Sequence, residues 1–105
     1  MADEPERTRP ANTLDEKQML LIARALADPR RYSILKQMAC QTGPCTPCAS
    51  MRDCLEISPA TLSHHMRELR LAGLVSESRE GRSVSYELCR DVVESYTGTL
   101  HRDLL

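Results

Sequence analysis

The stretch SPATLSHHMRELRLAGLVSESREGRSVSYELC, from Ser58 to Cys89, changes its hydrophobic period once, and that change decides the fold. Ser58 followed by Pro59 is a helix start signal, with a capping hydroxyl and a residue whose missing N–H costs nothing in the first turn. Leu62, Met66 and Leu69 then repeat at helical spacing, and Gly73 ends the helix. Beyond it LVSESRE and SVSYELC alternate with a period of two, and Gly81-Arg82 falls at the tip between them. Val84, Tyr86 and Leu88 share one strand face; Ser85, Glu87 and Cys89 share the other.

Upstream, LDEKQMLLIARALA repeats apolar residues from Leu14 through Leu26, with acids in its first turn as the helix dipole favours. DPRRYSILKQMA restarts on Asp28 and Pro29, placing Tyr32, Ile34, Leu35, Met38 and Ala39 on apolar faces before Gly43-Pro44 stops it. Thr46 and Pro47 repeat the start signal and predict a short helix to about residue 54 or 55. RDVVESYTGTLHRDLL closes the chain as a last helix with Val92, Val93, Tyr96 and Leu100 apolar, weakly interrupted by Gly98. The predicted order is helix, helix, short helix, tight turn, helix, β-hairpin, helix. That is a mainly α winged helix-turn-helix, in which the 59–72 helix enters a major groove and the hairpin touches flanking backbone.

Composition agrees. In 105 residues there is no Phe or Trp and only 3 Tyr, so the core must come from Leu, Ile, Val, Met and Ala, as suits packed helices. A chain this short is one domain, 14–105, behind a polar tail, 1–13, and gains from dimerisation. The tail has no apolar signal region and no run approaches a membrane span, so a cytoplasmic protein without a membrane partner is expected. The net charge of −1 is unevenly spread: residues 1–16 hold five acids against two arginines, leaving 12 basic and 10 acidic residues, net +2, in the remainder. A mildly basic folded part permits DNA binding. No Gly-rich phosphate loop accompanies the Cys and His residues, so an enzyme is not expected.

CQTGPCTPCASMRDC crowds Cys40, Cys45, Cys48 and Cys54 into one connection; Cys89 is the fifth thiol. In a reducing compartment, close spacing and an odd count point to metal binding or redox sensing and away from a disulfide framework. On a helix beginning near Pro47, Cys48 and Cys54 lie about 240° apart. Cys40, Cys45 and Cys48 can converge through the Gly43-Pro44 connection, with Cys54 joining if that helix starts late. Three thiolates suit As(III) or Sb(III); four suit tetrahedral Zn(II) or Cd(II). Thiol-redox or persulfide sensing, a structural zinc site and, for Cys54 and Cys89, apolar filling are the competing accounts.

ALADPRRYSIL, SPATLSHHMRELRLAGLV and REGRSVSYEL resemble the ArsR/SmtB family of metal-sensing winged helix-turn-helix repressors over about residues 14 to 95. The resemblance implies a homodimer, paired largely through its first and last helices, that represses its operon until an inducer binds. It sets Ser58, Thr61, Ser63, His64 and His65 toward operator DNA, Arg67 near phosphates, and Arg79 and Arg82 on the wing. Adjacent histidines lie about 100° apart on a helix and rarely share one ion. Arsenic-sensing members carry Cys-x-Cys at the start of the short helix; here Cys45-x2-Cys48 stands in that place, with Cys54 further along, directly before the recognition helix. Members that bind zinc between their last helices use Asp, His and Glu, but Asp91, Glu94, His101 and Asp103 lack that spacing and read as an exposed polar face. A module of this fold that holds a protein partner is the remaining alternative.

Overall fold

The computed structural model describes residues 13–40, 46–47 and 56–105. Among these the order is α1 (Glu16–Leu26), α2 (Pro29–Ala39), β1 (Thr46–Pro47), α3 (Pro59–Leu71), β2 (Val75–Glu80), β3 (Ser83–Leu88) and α4 (Arg90–Leu104). This is the expected mainly α winged helix-turn-helix architecture.

Each of the first three helices starts on a capping side chain that takes up N–H groups the helix itself leaves unpaired. Asp15 accepts from the Gln18 N–H at 2.8 Å, so α1 begins two residues later than Leu14. Asp28 accepts from Arg30 at 2.8 Å and Arg31 at 3.4 Å. The Arg30 backbone bond is the foremost reason the Asp28 carboxyl sits below its ordinary pKa. Ser58 accepts from the Thr61 N–H at 3.2 Å and donates its own proton to the Thr61 hydroxyl at 2.9 Å.

Arg31 closes the far end of α1. Its Nε donates to the Ala25 carbonyl at 2.8 Å and its Nη2 to Arg24 at 3.2 Å, which supplies partners for exposed C-terminal carbonyls and joins α1 to α2. α3 ends in a paired turn: the Gly73 N–H meets the Arg70 carbonyl at 2.9 Å and Leu74 meets Leu69 at 3.0 Å. Gly73 has φ +84°, which is what requires glycine at this turn; a Cβ there would lie 2.9 Å from Gln18 Nε2 of α1, the tip of a flexible side chain that can move aside.

β2 and β3 pair from Val75↔Leu88 to Glu80↔Ser83, leaving Gly81-Arg82 as the two-residue tip with Gly81 at φ +63°. The sheet has a third strand. Thr46 pairs with Tyr86 and Pro47 with Ser85, giving the order β1-β3-β2. Thr46 and Pro47 were expected to open a short helix and instead form this edge strand, where a residue without an N–H is tolerated. The rest of that expected helix lies outside the described residues, as do residues 1–12 of the tail.

The core gathers Ile22 and Ala25 from α1, Ile34, Leu35 and Met38 from α2, and Leu62, Met66 and Leu69 from α3; Leu74, Val75 and Tyr86 close it from the hairpin side. Ile22, Leu62 and Leu69 are wholly shielded from solvent, each contributing about 1.5–3 kcal/mol by leaving water. On α4 the order of burial differs from expectation. The deepest positions are the hydroxyl residues Ser95 and Thr99, which donate to the Asp91 carbonyl at 2.9 Å and the Ser95 carbonyl at 2.7 Å, while Val93 stays 37% exposed. Both hydroxyls donate backward within their own helix, and the Thr99 oxygen also accepts from the Leu14 N–H at 3.2 Å, so both can be buried with their polar atoms paired.

Candidate nucleic-acid interface and thiol segment

α3 divides into two faces. Leu62, His65, Met66 and Leu69 point into the core, and Ser63, His64, Arg67 and Arg70 point to solvent. Ser58 is exposed at the helix start and Thr61 half-buried behind it. Of the residues expected to face DNA, the structure brings Ser58, Ser63, His64 and Arg67 onto one open surface.

His65 is the exception and corrects the sequence reading. It is only 6% exposed, and neither ring nitrogen has a hydrogen-bond partner among the described residues. The reason was legible: position 65 is i+3 from Leu62 and i−4 from Leu69, on the apolar stripe. The same divergence turns the His64 and His65 rings to different faces, with centroids 5.8 Å apart and planes tilted by 56°.

Burial holds the His65 pKa below the ordinary histidine value; Asp28 partly opposes this, and Arg31, His64 and Arg30 reinforce it. His65 is therefore neutral at pH 7 in the folded chain. The unfolded chain takes up a proton near pH 6.5, so stability is full above that pH and is lost as pH falls toward the folded pKa. His65→Leu should flatten this dependence. Urea denaturation between pH 7 and 5 should show the parent losing more stability than the variant, by at most about 1.4 kcal/mol per pH unit for the one proton; equal losses would remove His65 as the cause.

Beside α3, the wing carries a bonded trio. Arg70 Nη1 lies 2.7 Å from Glu77 Oε1, and Arg79 Nε lies 2.6 Å from Glu77 Oε2. The Glu77 carboxyl is held below the usual range, first by the Arg79 hydrogen bond; burial, the next largest effect, opposes this, and the charges of Arg79 and Arg70 and a bond from Tyr86 reinforce it. Arg82 is exposed at the tip. Arg70 and Glu77 escaped the sequence reading because their contact spans the turn between a helix and a strand, a separation that no local period reveals. A hollow of about 580 Å³ at the start of α3 is lined by Arg30 and Ser33 of α2 together with Ser58 and Thr61. Arg30 and Ser33 were also missed, since only the docking of α2 on α3 brings them there.

Among the proposed thiols, Cys40 is exposed at the C-cap of α2. Cys45, Cys48 and Cys54 lie outside the described residues. Cys89 is half-buried at the start of α4, and burial, aided by Asp91, raises its thiol pKa while Ser76 opposes the rise. Among the described residues no three His, Cys, Asp or Glu side chains come together as a metal site. Asp91, Glu94, His101 and Asp103 are all exposed along α4, as a polar face requires. No helix among the described residues is long and apolar enough to cross a membrane.

Comparison with known proteins gives this surface a context. Residues 26–77 match a helix-turn-helix domain family model. The HTH-type transcriptional regulator NmtR of Mycobacterium tuberculosis is 36% identical over 85 residues, covering 78% of this chain and 68% of that protein. An ArsR-like transcriptional regulator from Rhodococcus sp. RHA1 superposes with a TM-score of 0.71 at 23% identity, over 82% of this chain and 78% of the other. The homodimeric winged helix-turn-helix DNA-binding domain of Mb0332 from Mycobacterium bovis, solved in solution, gives 0.66 at 24% identity over 88% of each chain. These two structures share the fold, and the sequence match to NmtR extends over most of both proteins. The chain belongs to the ArsR family of winged helix-turn-helix transcriptional regulators.

Proposed function

We propose that the chain is a homodimeric repressor that grips operator DNA through α3 and the wing and lets go when a thiophilic ion joins the cysteines before α3. The observation that carries the DNA half is the two-faced α3: its inner face is locked in the core, so Ser63, His64 and Arg67 are presented on a rigid support, with Arg79 and Arg82 alongside. At the Ser58 end of the helix Pro59 has no N–H and those of Thr61 and Leu62 are bonded to Ser58, so a phosphate there would meet the Ala60 N–H and the positive end of the helix dipole. A second copy of the chain finds an apolar surface in a groove of about 360 Å³ lined by Ile22, Leu35, Leu88, Val93 and Tyr96. Leu20 and Leu21 are exposed on the neighbouring α1.

The inducer half rests on chain order. Cys45 and Cys48 are the residues on either side of Thr46–Pro47, the two residues held on β3, and Cys40 ends α2 just before them. Drawing these thiols together on one ion, with or without Cys54, acts on backbone attached to the wing. As(III) or Sb(III) is the ion best matched to three thiolates, and Zn(II) or Cd(II) to four. Ligation requires thiolates, so binding releases protons and weakens at low pH.

The test is fluorescence anisotropy of the reduced protein on its promoter DNA, with arsenite, zinc, cadmium and a persulfide donor added separately. Release by arsenite at one ion per subunit is the expected result. Release by the persulfide donor alone assigns the thiols to redox sensing instead. In the same assay, affinity should fall on the order of a thousandfold between about 50 and 200 mM salt, as counterion release by several phosphate contacts demands; affinity indifferent to salt would contradict the assigned surface.

A further inference from the structure

Glu77 is the least exposed member of the wing trio, at 14% against 44% for Arg70 and 68% for Arg79. Each of its carboxylate oxygens holds a different arginine. One arginine belongs to the last turn of the recognition helix and the other to the wing, so one carboxylate fixes the spacing between two cations on the DNA-facing side. Glu77 also stands in a cross-strand row. It is paired with Tyr86, and Tyr86 is paired on its other side with Thr46. The Tyr86 side chain is buried in the core, so displacement of its strand cannot be absorbed by swinging the ring into solvent.

We propose that Glu77 is a positioning residue for DNA binding, and that the row Thr46, Tyr86, Glu77 carries the state of the thiol segment to Arg70 and Arg79. This rests on the thiol-governed release proposed above. β1 is the part of that segment anchored to the sheet, and it is only two residues long, with Pro47 unable to donate to its neighbour. An ion that pulls on its flanking cysteines displaces β1 against Tyr86. The shift passes across β3 to Glu77, which then no longer holds both arginines at the spacing the phosphates require. The two states differ in one feature, whether Arg70 and Arg79 are clamped together.

The experiment compares the full-length parent with Glu77→Gln, a nearly isosteric change that removes the charge. Operator affinity is measured with and without arsenite, and arsenite occupancy is followed separately by thiolate–arsenic absorption. In the parent, arsenite is expected to weaken operator binding on the order of 100-fold. In Glu77→Gln, binding without arsenite should already be weaker by about tenfold, and the further loss on arsenite should shrink to about tenfold, with ion occupancy unchanged. A residue of merely structural importance would instead lower both affinities by the same factor.

If the variant loses as large a factor to arsenite as the parent does, the relay is wrong and the thiol reading survives. If none of arsenite, zinc, cadmium or a persulfide donor releases the parent itself, both proposals fall. Should Glu77→Gln lose its helical circular dichroism, Tyr86→Phe serves in its place, since it removes the hydroxyl that bonds Glu77 while keeping the buried ring. It must show the same shrunken response, and a response like the parent's overturns the relay.

Discussion

Replacing Cys45 and Cys48 together by Ser should leave operator affinity within about threefold of the parent and abolish release by arsenite, a loss of response on the order of 100-fold. Neither residue is part of α3 or of the wing strands, and serine is close to cysteine in size, so the unliganded protein should keep its grip. A hydroxyl does not become an anionic ligand near neutral pH as a thiol does, so the ion loses two of its donors. Anisotropy on promoter DNA reads both quantities in one titration. Retained release would place the inducer site elsewhere, and lost DNA binding without arsenite would mean that the two thiols support the fold.

Leu62→Ala should cost about 2–5 kcal/mol of folding stability, because Leu62 is wholly shielded on the α3 inner face and its removal leaves a cavity in the buried cluster to which Ile34, Met66 and Leu69 also belong. Against a total on the order of 5–15 kcal/mol, that is a large fraction. Leu71→Ala provides the contrast: this leucine lies on the same helix but is 58% exposed, and its truncation should change stability by no more than about 0.5 kcal/mol. Urea denaturation at fixed protein concentration measures both, and similar costs for the two would mean that the α3 faces are wrongly assigned.

The parts of the fold that the sequence announced are those built from local signals. Asp28-Pro29 and Ser58-Pro59 start helices because cap and proline act within a single turn, and Gly73 and Gly81 mark the two turns whose backbone they alone tolerate easily. Thr46-Pro47 carries the same dipeptide logic and went the other way. Its pairing with Tyr86 and Ser85 lies some forty residues along the chain and leaves no trace in the local pattern. Of the residues expected to face DNA, Ser63, His64 and Arg67 are exposed, whereas His65 is buried, because residue type was weighed above helical phase. Burial on α4 was misjudged for a related reason. Ser95 and Thr99 look polar in one dimension, yet both hydroxyls donate to their own helix and the Thr99 oxygen takes the Leu14 N–H, which leaves them free to be covered. The Glu77 trio needed the three-dimensional return of the wing onto the end of α3.

The division of α3 into a core face and an open face has a consequence for how such a protein changes over generations. Ser63, His64 and Arg67 take no part in the hydrophobic cluster, so substitutions there are nearly free of any folding cost. If these positions read the operator as proposed, a duplicated gene can explore new operator sequences through them while its stability stays level. The stripe of Leu62, His65, Met66 and Leu69 keeps the helix in place throughout, and a lineage of such regulators can diverge in the promoters it recognises without first acquiring compensating mutations in its core.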